Sequence, residues 1–428
     1  MSDARRLVPR TDRVLAEPAL VDAATRLGRE AVKTAVRRAQ DLVRSGDLRP
    51  DALLPAVLES LPEAATSLRP VLNASGVVVH TNLGRAPLSA AAVEALRTAA
   101  GTTDVELDLA TGRRGRRGAP AIDALLAAVP VAEDAHIVNN GAAALALLAT
   151  AYAGREVVVA RGELVEIGDG FRIPELLSSC GVRLREVGTT NRVRLGDYAD
   201  AVGTETAFLL KVHPSNFVVS GFTSSVPVDE LAGLGVPVVA DIGSGLLQPH
   251  PRLPGEPDAT SSLQAGAALV TASGDKLLGG PQCGLLLGRH DLVHSLRRHP
   301  MARAVRVDKL TIAALEATVA GPQTPVHRCL DTAPRQLHDR AAAVAVGLAD
   351  AGIDAEVVGT DAAVGGGGAP GVTLPSAAVA VTPALAEPLR RGSPAVLGRV
   401  EHGRLLLDLI AIDPAEDDLL VRLVRGCR

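Results

Sequence analysis

The chain has 428 residues, of which 47% are hydrophobic and 21% charged, with a formal net charge of -4 at pH 7. This length is too great for one simple core and predicts roughly two or three domains, while the composition excludes a disordered chain. The charge argues against a generally basic nucleic-acid coat, though not against a local basic face, and 1% aromatic content without tryptophan argues against a platform that stacks bases.

Residues 1–65 read as a short helical N-terminal domain. Its opening, MSDARRLVPRTDRVLAEPAL, has no apolar leader, and no uncharged run in the chain approaches a membrane span, which points to the cytoplasm. ALVDAATRLGREAVKTAVRRAQDLVRSG has apolar residues at helical spacing and a glycine stop. Its outward face carries Arg26, Arg29, Lys33, Arg37, Arg38 and Arg44, either an ordinary solvated face or a module that touches phosphates.

From 66 to 325 short β-branched runs alternate with alanine-rich stretches: HIVNN before GAAALALLATAYAG, REVVVA before FRIPELLSSCG, then AFLLKVH, VPVVADIGSG, AALVTASGDK and CGLLLG. This alternation predicts a large α/β domain with a mainly parallel sheet covered on both faces. Ligands bind at the carboxyl ends of strands in such sheets. Here those ends carry Asn139 and Asn140, His213, Asp241 with its following glycines, and Ser273 to Lys276. From 326 to 428 the chain reads as a smaller α+β domain: a helix then a strand in DRAAAVAVGLADAGIDAEVVG, a flexible loop in VGGGGAPGVTLPS and a late strand in HGRLLLDLIAI. The cysteines, Cys180, Cys283, Cys329 and Cys427, form no close C-x-x-C pair, so neither a metal centre nor a redox dithiol is expected, and the compartment reads as reducing.

SGDKLLGGPQCG sets one lysine, Lys276, after LQAGAALVTA and before LLGG. A lysine in such surroundings is drawn inward, and burying an amine is costly unless something uses it. With Asp241 at the end of an earlier strand it supplies what pyridoxal 5′-phosphate requires: an amine for the aldehyde and a carboxylate for the ring nitrogen. The phosphate needs helix-start amides and a hydroxyl, offered by Asn140, Gly141, Ala142 and Ser273. Each part alone is weak. S-x-x-K also occurs in serine hydrolases, but their S-D-N and K-T-G partners are missing, and DIGSGL lacks the third glycine of a dinucleotide loop. The structural alternatives are a helix-capping Asp275, an Asp241 satisfied in a turn and a snorkelling Lys276.

A longer ordered set adds to this reading: RPVLNASGVVVHTNLGRAPLS, VARGELVEIGDGFRIPEL, EVGTTNRV, LKVHPSNFVVSGFT, DIGSGLL, SGDKLLGGPQCG and RAVRVDKLTIAALEAT. Over about residues 69 to 410 the chain closely resembles the bacterial selenocysteine synthases, the L-seryl-tRNA(Sec) selenium transferases. The resemblance implies the fold-type-I architecture of pyridoxal-phosphate enzymes, a homodecamer built as a ring of dimers, and an N-terminal helical domain that grips tRNA. It implies that Lys276 is the Schiff-base lysine and that Asp241 faces the pyridine nitrogen. Arg85, in HTNLGR, and Arg303 and Arg306, in RAVR, match arginines that line the family's active site, where a planar guanidinium suits oxyanions. Thr189, Thr190 and Asn216 match polar residues near its substrate pocket. A surface helix is the plain alternative for Arg303 and Arg306, turn chemistry for the threonines, and a strand-end histidine for His213 against a partner of the cofactor ring. GRRGRRG, residues 112–118, meets tRNA or a phosphate, or is a solvated loop. Three positions depart from the family pattern: Gly141 stands where an asparagine is usual, Cys283 for alanine and Ile410 for arginine.

The implied reaction acts on serine esterified to tRNA(Sec). Water is eliminated through an aminoacrylyl intermediate, with Lys276 taking the α-proton, and selenium from selenophosphate is added. Asp275, Thr189 and a bound phosphate are the candidate acids for departure of the hydroxyl. The alternative is a related eliminase or ammonia lyase acting on a small amino acid or amino sugar without tRNA. A third reading, a tRNA-binding protein that has lost catalysis, is opposed by Lys276, Asp241 and Arg85.

Overall fold

A computed structural model describes residues 8–168 and 170–427. Seven strands form one sheet in the order Asp134–Val138, Gly284–Gly288, Leu269–Ser273, Val238–Asp241, Thr206–Val212, Glu156–Ala160 and Arg183–Val187. All neighbours are parallel except Gly284–Gly288, which is antiparallel to both of its partners. The central strands are buried along their whole length, because helices cover both faces and every side chain faces a core. Successive residues feed opposite cores. Val239, Leu269 and Leu286 cluster with Leu145 and Leu147 of helix Gly141–Ala151, whereas Ala240, Val270 and Leu287 cluster with Ile122 and Leu315 of helices Ala119–Ala128 and Lys309–Val319. The edge strand Arg183–Val187 exposes Arg183, Arg185 and Glu186, charges that discourage further pairing.

The second sheet has six strands, ordered Val71–Ala74, Ala395–Glu401, Arg404–Asp408, Thr373–Val381, Glu356–Gly365 and Val77–Val79. Helices Pro334–Ala349 and Asp417–Gly426 pack on it through Leu337, Val344, Leu348, Leu420 and Val424. Both edge strands come from residues 71–79, so this sheet draws on chain far upstream of 326. Val77–Val79 runs parallel to the end of Glu356–Gly365, with Val79 opposite Gly365. The chain therefore leaves both strands at the same end, one towards Arg85 and the other into the glycine run.

A separate compact unit comprises residues 8–70 with Ser393–Ala395. It contains helices Thr11–Leu15, Pro18–Leu27, Arg29–Ser45 and Leu53–Ser60. The continuous helix expected from residue 19 to 46 is two helices, divided at Gly28, whose φ of 89° and ψ of 142° are not helical. Glycine's access to positive φ outweighs the apolar periodicity there. Val32, Val36, Ala39 and Val43 fill the unit's core. Arg26, Arg29, Arg37, Arg38 and Arg44 are exposed and Lys33 half-buried. Gly46, in the left-handed region, ends the second helix. Among the described residues no helix is long and apolar enough to cross a membrane.

Candidate active site

Six strands of the first sheet point their carboxyl ends the same way, and the polar residues gather there. Lys276, three residues beyond strand Leu269–Ser273, is 7% exposed. Burial lowers its pKa from the ordinary lysine value, against the pull of Asp241 and Asp275. Asp241 ends the neighbouring strand, and burial raises its pKa although Thr271 Oγ1 donates to its Oδ1 at 2.8 Å. Each group is pushed towards its neutral form, the form in which an amine is a nucleophile.

Asp275 does not cap a helix. Its Oδ2 accepts from Arg85 Nη1 at 2.6 Å, across 190 positions of sequence. Arg85 reaches it from a turn in which its own φ is 65°, a conformation that costs a non-glycine residue about 1–3 kcal/mol and clusters at functional sites. The Arg85 amide donates to the His80 carbonyl at 3.0 Å and the Ala86 amide to the Asp275 carbonyl at 3.2 Å, so the backbone fixes the pair as well.

The anion cradle forms where the sheet meets helix Gly141–Ala151. Asn140 caps this helix: its Oδ1 accepts from the Ala143 amide at 2.8 Å and its carbonyl from Ala144 at 3.1 Å. Among the described residues, the amides of Gly141 and Ala142 find no acceptor in the chain. Ser273 stands beside them, and a Cβ at Gly141 would lie 2.8 Å from Ser273 Oγ. The departure to glycine at 141 thus makes room for that hydroxyl. A buried amine, a buried acid near it and free helix-start amides beside a hydroxyl fit pyridoxal 5′-phosphate.

His213 follows strand Thr206–Val212. Its amide donates to the Asp241 carbonyl at 2.9 Å, and its Nε2 lies 3.1 Å from Glu256 Oε2. His213, Asp241, Thr189 and Thr190 line one cavity of about 490 Å³. The Thr189 hydroxyl is also held in its own turn, donating to the Arg192 carbonyl at 3.1 Å. Asn216 is not among the residues that line this cavity, and its amide donates to the Glu166 carbonyl at 2.9 Å. Lys211 and Glu163, which lie in the segments LKVHPSNFVVSGFT and VARGELVEIGDGFRIPEL but were not named as site residues, form a part-buried ion pair on the cavity wall. Burial raises the Glu163 pKa, opposed by Lys211. A lysine interrupting an apolar strand was a further signal.

Arg303 and Arg306 lie elsewhere in the chain. They line a second cavity of about 420 Å³ that holds Glu106, His136 and five further arginines, and Lys276, Asp241 and Ser273 do not line it. GRRGRRG contributes to this wall rather than to a free loop. Arg114 and Arg117 pair with Glu106 at 2.8 and 3.3 Å, and Arg116 with Asp134 at 3.1 Å. His136, with two arginines near it, is pushed down to about 4, chiefly by burial.

Of the remaining departures, Cys283 is buried and its thiol is pushed up to about 12 by desolvation, which makes it inert. Ile410 is buried beside Asp408, a carboxylate that already receives Arg399 Nη1 at 3.1 Å.

Residues 71–413 match the family model described as L-seryl-tRNA selenium transferase, and residues 5–44 match the selenocysteine synthase N-terminal model. An L-seryl-tRNA(Sec) selenium transferase of Carboxydothermus hydrogenoformans is 40% identical, over 98% of this chain and 97% of the relative. One from Moorella thermoacetica is 42% identical, over 97% of this chain and 95% of its own. Among solved structures, a D-glucosaminate-6-phosphate ammonia-lyase shares the fold, with a TM-score of 0.60 and 20% identity over 84% of this chain and 96% of that one. The architecture is that of the fold-type-I pyridoxal-phosphate enzymes.

Proposed function

Since the chain belongs to the L-seryl-tRNA selenium transferase family, we propose that it converts L-seryl-tRNA(Sec) to L-selenocysteinyl-tRNA(Sec). The observation that carries this reading is Lys276, buried at the carboxyl edge of the sheet with Asp241 and Asp275 near enough to pull on its proton. The cofactor is pyridoxal 5′-phosphate, which when bound supplies the electron sink that makes the α-proton of serine removable. Lys276 would hold it through Nζ, and the same amine would take that proton; a lowered pKa suits both tasks. Asp241 would pair with the ring nitrogen. Gly141, Ala142 and Ser273 would hold the phosphate at the helix start, where amides and dipole favour an anion. Asp275 holds Arg85, whose other N–H groups remain for an oxyanion. Asp275 is engaged by Arg85, and it stays a candidate for assisting the hydroxyl together with Thr189 and a bound phosphate.

The arginine wall around Arg303 and Arg306 takes the phosphate of selenophosphate. In one chain it is a cavity distinct from that of Asp241, and assembly as a homodecamer of dimers provides a second copy to bring the two together. The exposed face of Arg26, Arg29, Arg37, Arg38 and Arg44 meets the tRNA backbone, in the cytoplasm. No observation favours the small-molecule eliminase: the relatives matched over nearly their whole length carry the transferase name, and the likeness to the ammonia-lyase is one of fold.

Lys276→Ala is expected to abolish turnover together with the visible absorbance of the lysine-bound cofactor; robust turnover by that variant removes the proposal. In the intact protein, seryl-tRNA(Sec) without a selenium donor should change that absorbance. A spectrum that ignores charged tRNA but answers to free amino acids would transfer the reading to the eliminase.

A further inference from the structure

The glycine run after strand Glu356–Gly365 is packed rather than loose. A Cβ at Gly367 would stand 2.8 Å from Lys276 Nζ, and one at Gly368 would stand 2.9 Å from Leu277 Cδ1 and 3.1 Å from Ser244 Cβ. Only bare backbone passes this close to the lysine. The Gly366 amide donates to the Val79 carbonyl at 2.9 Å, which ties one end of the run to the sheet. The other end is tied at Ala369, a residue 4% exposed with a φ of 48°. Its amide donates to Glu256 Oε2 at 2.7 Å.

That same oxygen faces His213 Nε2 at 3.1 Å. The Glu256 side chain is 1% exposed, and its other oxygen, Oε1, is buried with no partner among the described residues. A carboxylate with an orphaned oxygen is an expensive way to fill space. What it gains is a single point that grips two segments, one carrying His213 beside Asp241 and the other crossing Lys276.

We propose that Glu256 is a positioning residue that clamps His213, beside Asp241, to the glycine-rich segment 366–371 that crosses the Lys276 amine. It acts through these two groups and touches no reacting atom. The effect on the cofactor rests on the function proposed above; the clamp itself does not.

The test is amide hydrogen exchange on the full-length protein, read by mass spectrometry over peptides spanning Gly366–Val372, without and with pyridoxal 5′-phosphate. Glu256→Ala removes both contacts and should speed exchange there at least about tenfold, with cofactor binding weakened about tenfold as read by absorbance. Glu256→Gln keeps an acceptor for the Ala369 amide and should restore protection to within about threefold of wild type. If Glu256→Ala does not fold, Glu256→Asp, one methylene short of both partners, should show the same local acceleration by roughly threefold. Unchanged exchange in whichever of these two variants folds overturns the proposal, as does a Gln variant as fast as the Ala variant. Because the exchange is first read without cofactor, failure of the clamp is distinct from failure of the transferase reading, which would show as a wild-type protein lacking the lysine-bound cofactor's absorbance.

Discussion

The lysine site and the arginine cavity are both built from charged residues, but they balance charge in opposite ways. At the carboxyl edge the site cations have acids beside them: Lys276 has Asp241 and Asp275, Arg85 has Asp275, and Lys211 has Glu163, while Arg192 stacks on Phe222. Around Arg303 and Arg306 seven arginines share a wall whose only carboxylate, among its described lining residues, is Glu106. The first region is organised before any ligand arrives, by pairing within the chain. The second keeps an excess of positive charge that internal partners do not neutralise, and such an excess favours a phosphate-bearing ligand. On the function proposed above, preorganisation would serve the group that performs chemistry and unspent charge the group that recruits.

The comparison breaks most visibly if the arginine wall proves dispensable. Arg306→Ala, and separately Arg303→Ala, should lower selenophosphate-dependent turnover by roughly 10- to 100-fold each, the loss of a charged hydrogen bond to an anion. The loss should deepen at low donor concentration, and the visible absorbance of the cofactor on Lys276 should be unaltered. Turnover within about twofold of wild type at limiting donor would return these residues to the plain surface-helix reading.

Gly141→Ala tests the cradle at the other region. The added Cβ would lie 2.8 Å from Ser273 Oγ, so the hydroxyl must move away from the helix start. Cofactor affinity should fall roughly tenfold, as for loss of one hydrogen bond to a charged group, with little change in thermal stability. Equilibrium titration of the protein with pyridoxal 5′-phosphate decides it, and an unaltered affinity would mean that Ser273 does not take part.

How far these regions could be read beforehand follows from the same contrast. Asp241 and Ser273 end strands, and Asn140 and Lys276 follow theirs by two and three residues, so strand patterning alone puts them on one edge. The Arg85–Asp275 pair spans 190 positions, and Glu256 meets its two partners across 43 and 113. No local periodicity encodes such side-chain meetings. The glycine run read as a flexible loop because glycines in series weaken any local preference; its order comes from close packing against Lys276 and Leu277. Gly28 shows the converse, one residue's backbone freedom dividing a helix that the apolar spacing alone would have continued.

A smaller effect sharpens the claim that Lys276 is held towards neutrality. Its pKa is lowered on folding, so the folded chain sheds this proton at a lower pH than the unfolded chain. Between the lowered value and the ordinary 10.5 the unfolded state binds more protons, and stability rises with pH. The cofactor-free protein should therefore gain in Tm relative to Lys276→Met as pH rises through that window, by roughly 1 °C for each kcal/mol gained. A difference between the two proteins that stays constant with pH would show that the amine remains charged.

The smallest effect belongs to Cys283, the thiol closest in sequence to the lysine motif. Its Sγ would lie 2.5 Å from a Cβ at Gly274, so it fills the space that the glycine leaves behind the strand. With the thiol pushed up to about 12, almost no thiolate exists near neutral pH to act as a rival nucleophile in the site. Cys283→Ala should cost about 1 kcal/mol of stability as a small packing loss, and Cys283→Ser somewhat more, because a buried hydroxyl must find a partner. Turnover should stay within about twofold in both, since packing of this size leaves Asp275 and Arg85 in place. Alkylation of the native protein by iodoacetamide, followed by peptide mapping, should leave Cys283 unmodified while the half-buried Cys180 reacts. Rapid labelling of Cys283, or a large loss of turnover in the alanine variant at unchanged Tm, would make this residue a participant rather than packing.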